Sequence, residues 1–125
     1  GVAQSTSSLS VSLESTTGAW AMQTTSGAHS YYVYPSGFVS AGGSTSNGDV
    51  YGVAVDLGAG TITFYQNGTL VGTNPNTISA GTYYIICVNG SGNSMLLNTG
   101  ASTFKYSVPS GYTAWDTTVY SPGVY

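Results

Sequence analysis

Residues 56–72 read DLGAGTITFYQNGTLVG, and this stretch limits the fold more than any other. Ile62 and Phe64 alternate with Thr61, Thr63 and Tyr65, which puts the apolar pair on one face of a strand and the polar residues on the other. Asn67-Gly68 follows, and Thr69, Leu70 and Val71 resume the strand chemistry. A two-residue type I′ turn needs positive φ at both central positions, which Asn and Gly tolerate best. The stretch therefore reads as a β-hairpin. The preceding run, 50–57, places Val53, Val55 and Leu57 on one face and Ala54 and Asp56 on the other. Ile62 and Phe64 supply the matching inward face.

The rest of the chain follows the same pattern. Short runs rich in Val, Ile, Thr and Tyr alternate with clusters of Gly, Ser and Asn, and no segment sustains helical spacing. Strands are expected at 10–13, 19–24, 30–34, 50–57, 61–66, 69–71, 83–88, 95–98 and 104–108. Residues 40–48, SAGGSTSNG, read as a loop by composition. The fold class is all-β, an antiparallel two-sheet sandwich. With 125 residues the chain fits one domain. It is expected to span 1–116, with 117–125, TTVYSPGVY after Asp116, as a tail.

Charge excludes several functions. Charged residues are 4% of the chain, Lys105 is the sole base, and the formal net charge is −3. Nucleic-acid binding needs several Lys or Arg to displace counterions, so it is excluded. An anionic membrane surface is excluded on the same ground, and no apolar run approaches the about 20 residues of a spanning helix. So uncharged a surface suits a protein packed in an assembly or working outside the cell.

The candidates for chemistry are few. His29 is the only histidine and is expected at a surface or strand end. Asp49 and Asp56 flank one strand about 23 Å apart, beyond the roughly 5 to 10 Å of a glycosidase carboxylate pair. Each is expected to bond turn amides at a strand end, as Asp side chains commonly do. No Cys/His cluster has zinc spacing and no acidic loop has calcium spacing. No Gly-rich stretch leads into a helix with a Lys, so no phosphate cradle is expected. The expectation is a non-enzymatic protein without cofactor or metal. Cys87 lies in YYIICV and is expected to be buried and inert, with no intrachain partner. Asn67 and Asn89 fit the glycosylation acceptor pattern but are better explained as hairpin turns.

Aromatics remain. Tyr31, Tyr32 and Tyr34 cluster in one run, and Tyr31 and Tyr32 must face opposite sides of a strand, so at least one is expected at a surface. Tyrosines give rigid, amphipathic area to protein contacts, and their faces can stack on sugars.

The motifs together resemble the SPRY domain family. Residues 48–72, GDVYGVAVDLGAGTITFYQNGTLVG, carry a G-D-V-x-G-V-x-x-D strand, then T-x-x-F-Y-x-N-G and the returning strand. Ala80-Gly81-Thr82-Tyr83-Tyr84 resembles the family's lead into its next core strand. Phe104-Lys105-Tyr106 with Pro109-Ser110-Gly111-Tyr112-Thr113-Ala114-Trp115 resembles its closing segment. Gly1-Val2-Ala3 and Gly18-Ala19-Trp20 resemble two earlier strands, an alignment that would leave the family's first strands upstream of Gly1. The resemblance implies a concanavalin-like sandwich whose loops at one end meet ligands. That makes the loops 40–48 and 89–93 candidates and, with the tyrosines, gives a candidate interaction surface of Tyr31, Tyr32, Tyr34, Ser44, Asn47, Asn89, Ser91 and Asn93. The Tyr-rich, nearly uncharged composition resembles family copies in bacteriophage structural proteins. The function so implied is a binding or structural module of a virion (tail fibre, spike or capsid decoration). Its partners would be other virion subunits or copies of itself, with a host-surface glycan or protein as a further partner. The alternatives are a carbohydrate-binding or carbohydrate-active fragment and a secreted bacterial adhesin at the cell surface.

Overall fold

A computed structural model describes residues 1–5, 18–25, 28–33, 37–87, 92 and 94–116. Its described residues hold strands and turns and no helix. The backbone divides into two units, Gly1–Ile86 and Cys87–Tyr125.

The first unit contains all eight described strands: β1 (Val2–Gln4), β2 (Ala19–Thr25), β3 (Ala28–Val33), β4 (Gly37–Gly42), β5 (Tyr51–Asp56), β6 (Thr61–Gln66), β7 (Thr69–Thr73) and β8 (Tyr83–Ile85). They form two antiparallel sheets, ordered β4-β3-β2-β1-β8 and β5-β6-β7. The all-β, two-sheet architecture expected from the alternation is present.

The second sheet shows how local sequence builds it. Asn67 (φ 51°) and Gly68 (φ 79°) occupy the left-handed region that a type I′ turn requires. Register sets Val53 opposite Phe64 and Val55 opposite Ile62, so these four share the inward face. Ile62 and Phe64, on the central strand, are 0% and 1% exposed. Val55 packs beside them. Val53 stays 43% exposed, with β5 at the edge of its sheet among the described residues, and Leu57, past the end of β5, is exposed too. The inward face expected of 50–57 is therefore only half covered. A bulge between Phe64 and Tyr65 lets Val71 reach the core as well.

The other sheet contributes Val2, Trp20 and Tyr31 to that core, with Met22 and Ala41 beside them. Tyr31 and Phe64 meet ring to ring across the sheets, centroids 5.8 Å apart and tilted 30°. The Tyr31 hydroxyl fills the space a side chain on Gly72 would need. Trp20 sets its ring edge-on to Tyr83 at 5.9 Å. Between β7 and β8, Ile78 enters the same core, held by Ile78 N–H donating to the Gly60 carbonyl at 2.9 Å. Val2 and Ala3 of the Gly1-Val2-Ala3 run lie in a strand as expected, paired with β2 on one side and β8 on the other.

Four expectations in this unit differ from the structure. Residues 37–42 form β4, so the loop begins at 43 and not 40. Ser40 pairs with Ser30 and Gly42 with His29 around a bulge, and ladder hydrogen bonds outweigh the Gly/Ser composition. Tyr31, expected on an interaction surface, is buried because it is the core residue of β3. His29 stands at the start of β3, a strand end as expected, but is buried and not at the surface. The 30–34 strand starts earlier, at Ala28, and ends at Val33.

The second unit, over its described residues, holds turns and no strand. Asn98 Oδ1 accepts from the Gly100 and Ser102 amides at 3.0 and 3.4 Å, and its Nδ2 donates to the Ser102 carbonyl at 3.0 Å. The Asp116 amide donates to the Thr99 carbonyl at 2.7 Å. Pro109 to Tyr112 close a turn, 3.1 Å, with Gly111 at φ 88°, which is the Pro-x-Gly turn expected there. The strands expected at 95–98 and 104–108 are not formed: Met95, Leu96 and Leu97 are all exposed instead of alternating, and Asn98 spends its side chain on local amides. Cys87 is exposed, correcting the expectation of a buried thiol. Cys87 lies past the end of β8, where strand alternation no longer sets the direction of the side chain. The strand expected at 10–13, the Asn89 acceptor site and the tail 117–125 lie outside the described residues.

Candidate functional site

The loop 43–50 joins the two sheets of the first unit, between β4 and β5. Asp49 is its hub. The carboxylate accepts from the Ser46 amide at 2.7 Å and Gln66 Nε2 at 2.6 Å through Oδ2, and from Asn67 Nδ2 at 2.7 Å through Oδ1. Its own amide donates to the Ser46 carbonyl at 3.2 Å. Gln66 Nε2 also reaches the Ser44 carbonyl at 2.8 Å. Asn67 completes the clamp: its Oδ1 accepts from the Val50 amide at 3.0 Å and its amide donates to the Val50 carbonyl at 2.8 Å. The turn residue that makes the β6–β7 hairpin thus also holds the loop. Asp49 has the turn-bonding role expected of it, and so does Asp56, whose Oδ1 accepts from the Ala59 amide at 2.8 Å.

These donors fix the electrostatics. The Asn67 amide, then the Ser46 backbone N–H and Gln66, hold the Asp49 carboxyl below its ordinary range. Tyr51 stands beside it, its phenol pushed up by burial first and by the negative charge of Asp49 second. The Tyr51 hydroxyl lies 3.4 Å from His29 Nε2, a hydrogen bond that links β5 to β3.

Against this geometry the expected surface residues divide. Ser44 and Asn47 are exposed on the clamped loop. Tyr31 is in the core. Tyr32 pairs with Phe38 across β3 and β4 at backbone level. Tyr34, Asn89, Ser91 and Asn93 lie outside the described residues. Gln66, Asn67 and Tyr51 were missed as site residues. Asn67 was legible as a turn, but nothing local in the sequence shows that its side chain reaches back to a loop 17 residues earlier.

A family model for the SPRY domain matches residues 1–102. The chain belongs to the SPRY domain family. The match takes in all eight described strands of this SPRY sandwich and the loop 43–50. SPRY domains generally mediate protein–protein interaction. No curated protein and no solved structure matches the chain.

Proposed function

We propose that this SPRY domain is a non-enzymatic contact module that presents the Ser44–Asn47 ridge to a protein partner, within a bacteriophage virion as part of a tail fibre, spike or capsid decoration. The observation that carries the reading is the clamped loop. Side chains from β6 and its turn tie down Ser44, Asp49 and Val50, and Asp49 in turn holds Ser46, so the exposed ridge is ordered before a partner arrives. A loop already held in its binding shape loses less conformational entropy on association. The virion setting is supported by composition: one base in 125 residues and 11 tyrosines favour hydrogen-bonding and apolar contacts between subunits over charge pairing.

Copies of the chain itself are the first partner to test. Light scattering over a concentration series should show self-association that Asn47→Arg weakens while the fold, read by circular dichroism, is retained. A monomer at every concentration, or association indifferent to Asn47→Arg, would remove the ridge from the interface. Chain shortening of a polysaccharide panel by the purified protein would overturn the non-enzymatic reading.

A further inference from the structure

Two Asn-Gly pairs in the first unit stand in opposite circumstances. An asparagine followed by glycine is open to attack on its own side chain, because the next residue has no Cβ to block the approach of its backbone nitrogen. Asn67-Gly68 is locked. Its Nδ2 donates to Asp49 Oδ1 at 2.7 Å, its Oδ1 accepts from the Val50 amide at 3.0 Å, and its own amide donates to the Val50 carbonyl at 2.8 Å. Asn47-Gly48 forms the centre of the turn that the Asp49 amide closes on the Ser46 carbonyl at 3.2 Å, with Gly48 at φ 86°, where a type II turn puts its glycine. The ends of that turn hold each other, since Asp49 Oδ2 also accepts from the Ser46 amide. Its centre is not held. Among the described residues neither the Asn47 side chain nor the Gly48 amide has a hydrogen bond, and a Cβ on Gly48 would meet nothing within 4 Å. Both pairs are exposed, so access of water does not separate them, and hydrogen bonding does.

We propose that Asn47 is a self-modification site, where the loop 43–50 converts slowly and without an enzyme from a neutral carboxamide to a carboxylate. The central peptide of a β-turn can rotate without moving the ends of the turn, which lets the Gly48 nitrogen swing toward Cγ of Asn47. That nitrogen attacks Cγ, the Cγ–Nδ2 bond breaks, and Nδ2 leaves as ammonia with the proton given up by the Gly48 amide. One water molecule from solvent then opens the resulting cyclic succinimide. Opening at Cγ leaves an aspartyl residue. Opening at the main-chain carbonyl leaves an isoaspartyl residue, with the chain running through Cγ. Either product adds a negative charge two residues from Asp49. The isoaspartyl form also lengthens the main chain inside the Ser46–Asp49 turn. The exposed loop of a fresh chain and that of an aged one therefore differ in charge, whatever the loop contacts. At Asn67 the same reaction must first break both side-chain hydrogen bonds, so the clamp that holds the loop also preserves its own asparagine.

Peptide mapping by mass spectrometry tests this on the unaltered protein, held folded in mildly alkaline buffer at physiological temperature and sampled over weeks. The peptide carrying Asn47 should gain the mass that exchanges NH2 for OH, with aspartyl and isoaspartyl forms resolved by chromatography. Asn89-Gly90, outside the described residues, is read in its own peptide. Because two hydrogen bonds must break at Asn67, Asn47 should convert at least about tenfold faster than Asn67 in the folded protein. The same incubation in urea removes the clamp, and the two rates should converge. Conversion of Asn67 as fast as Asn47 in the folded protein would overturn the proposal. So would an Asn47 that reacts in urea but stays intact in the folded chain. A gap between the two sites that persists in urea would assign it to the flanking sequence and remove the structural argument.

Discussion

The β5–β7 sheet and the segment 94–108 look alike in sequence and differ in structure. Both carry runs of apolar and β-favouring residues between turn signals. The first forms three paired strands with Ile62 and Phe64 sealed from water. The second forms no strand and leaves Leu96 94% exposed. The difference lies in where the partner comes from. Each strand of β5–β7 meets the next one in the chain, through a connection of two to four residues that the turn chemistry of 57–60 and Asn67-Gly68 dictates. Among the described residues 95–98 pair with no strand, and the Asn98 side chain bonds the backbone of Gly100 and Ser102 instead.

The largest test of that contrast is Phe64→Ala. Phe64 is 1% exposed and packs on Tyr31 of the opposite sheet. Its truncation should cost about 3 to 5 kcal/mol, read by urea unfolding. A loss below about 1 kcal/mol would mean that the two sheets do not share one core. Next comes Gly68→Ala. At φ 79° an L side chain is strained, and a loss of about 1 to 2 kcal/mol is expected. A neutral outcome would show that packing, and not the turn, sets the hairpin register.

Acid sharpens the comparison at the point where hairpin and loop meet. Because Asp49 titrates below its ordinary value of 3.8, its contribution to stability is fully present above that pH and is lost as pH falls through the lower folded value. The wild type should therefore lose stability below about pH 4 more steeply than Asp49→Asn, which lacks the titrating group. Equal acid slopes in the two proteins would show that the clamp does not contribute to folding.

What was readable follows from range. The hairpin, its inward face and the turn role of both aspartates rest on residues close in sequence, and these agree with the structure. β4 was hidden because Gly, Ser and Ala carry little strand propensity, and its pairing with β3 is fixed by a bulge at His29 that no local pattern reveals. His29 and Tyr31 were placed outside because parity along a strand tells which residues share a face but not which face is covered. The covering comes from Phe64, Gly72 and Gly43, 14 to 41 residues away in sequence. The clamp on Ser44 and Asp49 is equally non-local. Cys87 shows the converse case, where an apolar run suggests burial and two residues past the strand end the side chain is exposed.

The smallest expected effect is the most discriminating. Leu96→Ser replaces a fully apolar side chain in a run that resembles a core strand by composition alone. If Leu96 stands in water, the substitution removes no buried area, and the change in unfolding free energy should stay within about 0.5 kcal/mol. If the run Met95-Leu96-Leu97 were instead packed against a sheet, burying a hydroxyl in place of an isobutyl group would cost at least about 2 kcal/mol. Urea unfolding separates these outcomes. Repeating it over a concentration series adds a second reading, because an effect that appears only at high protein concentration places Leu96 at a contact between copies. A small, concentration-independent change leaves the contrast intact: a strand-like composition becomes a strand only when a partner edge is within reach.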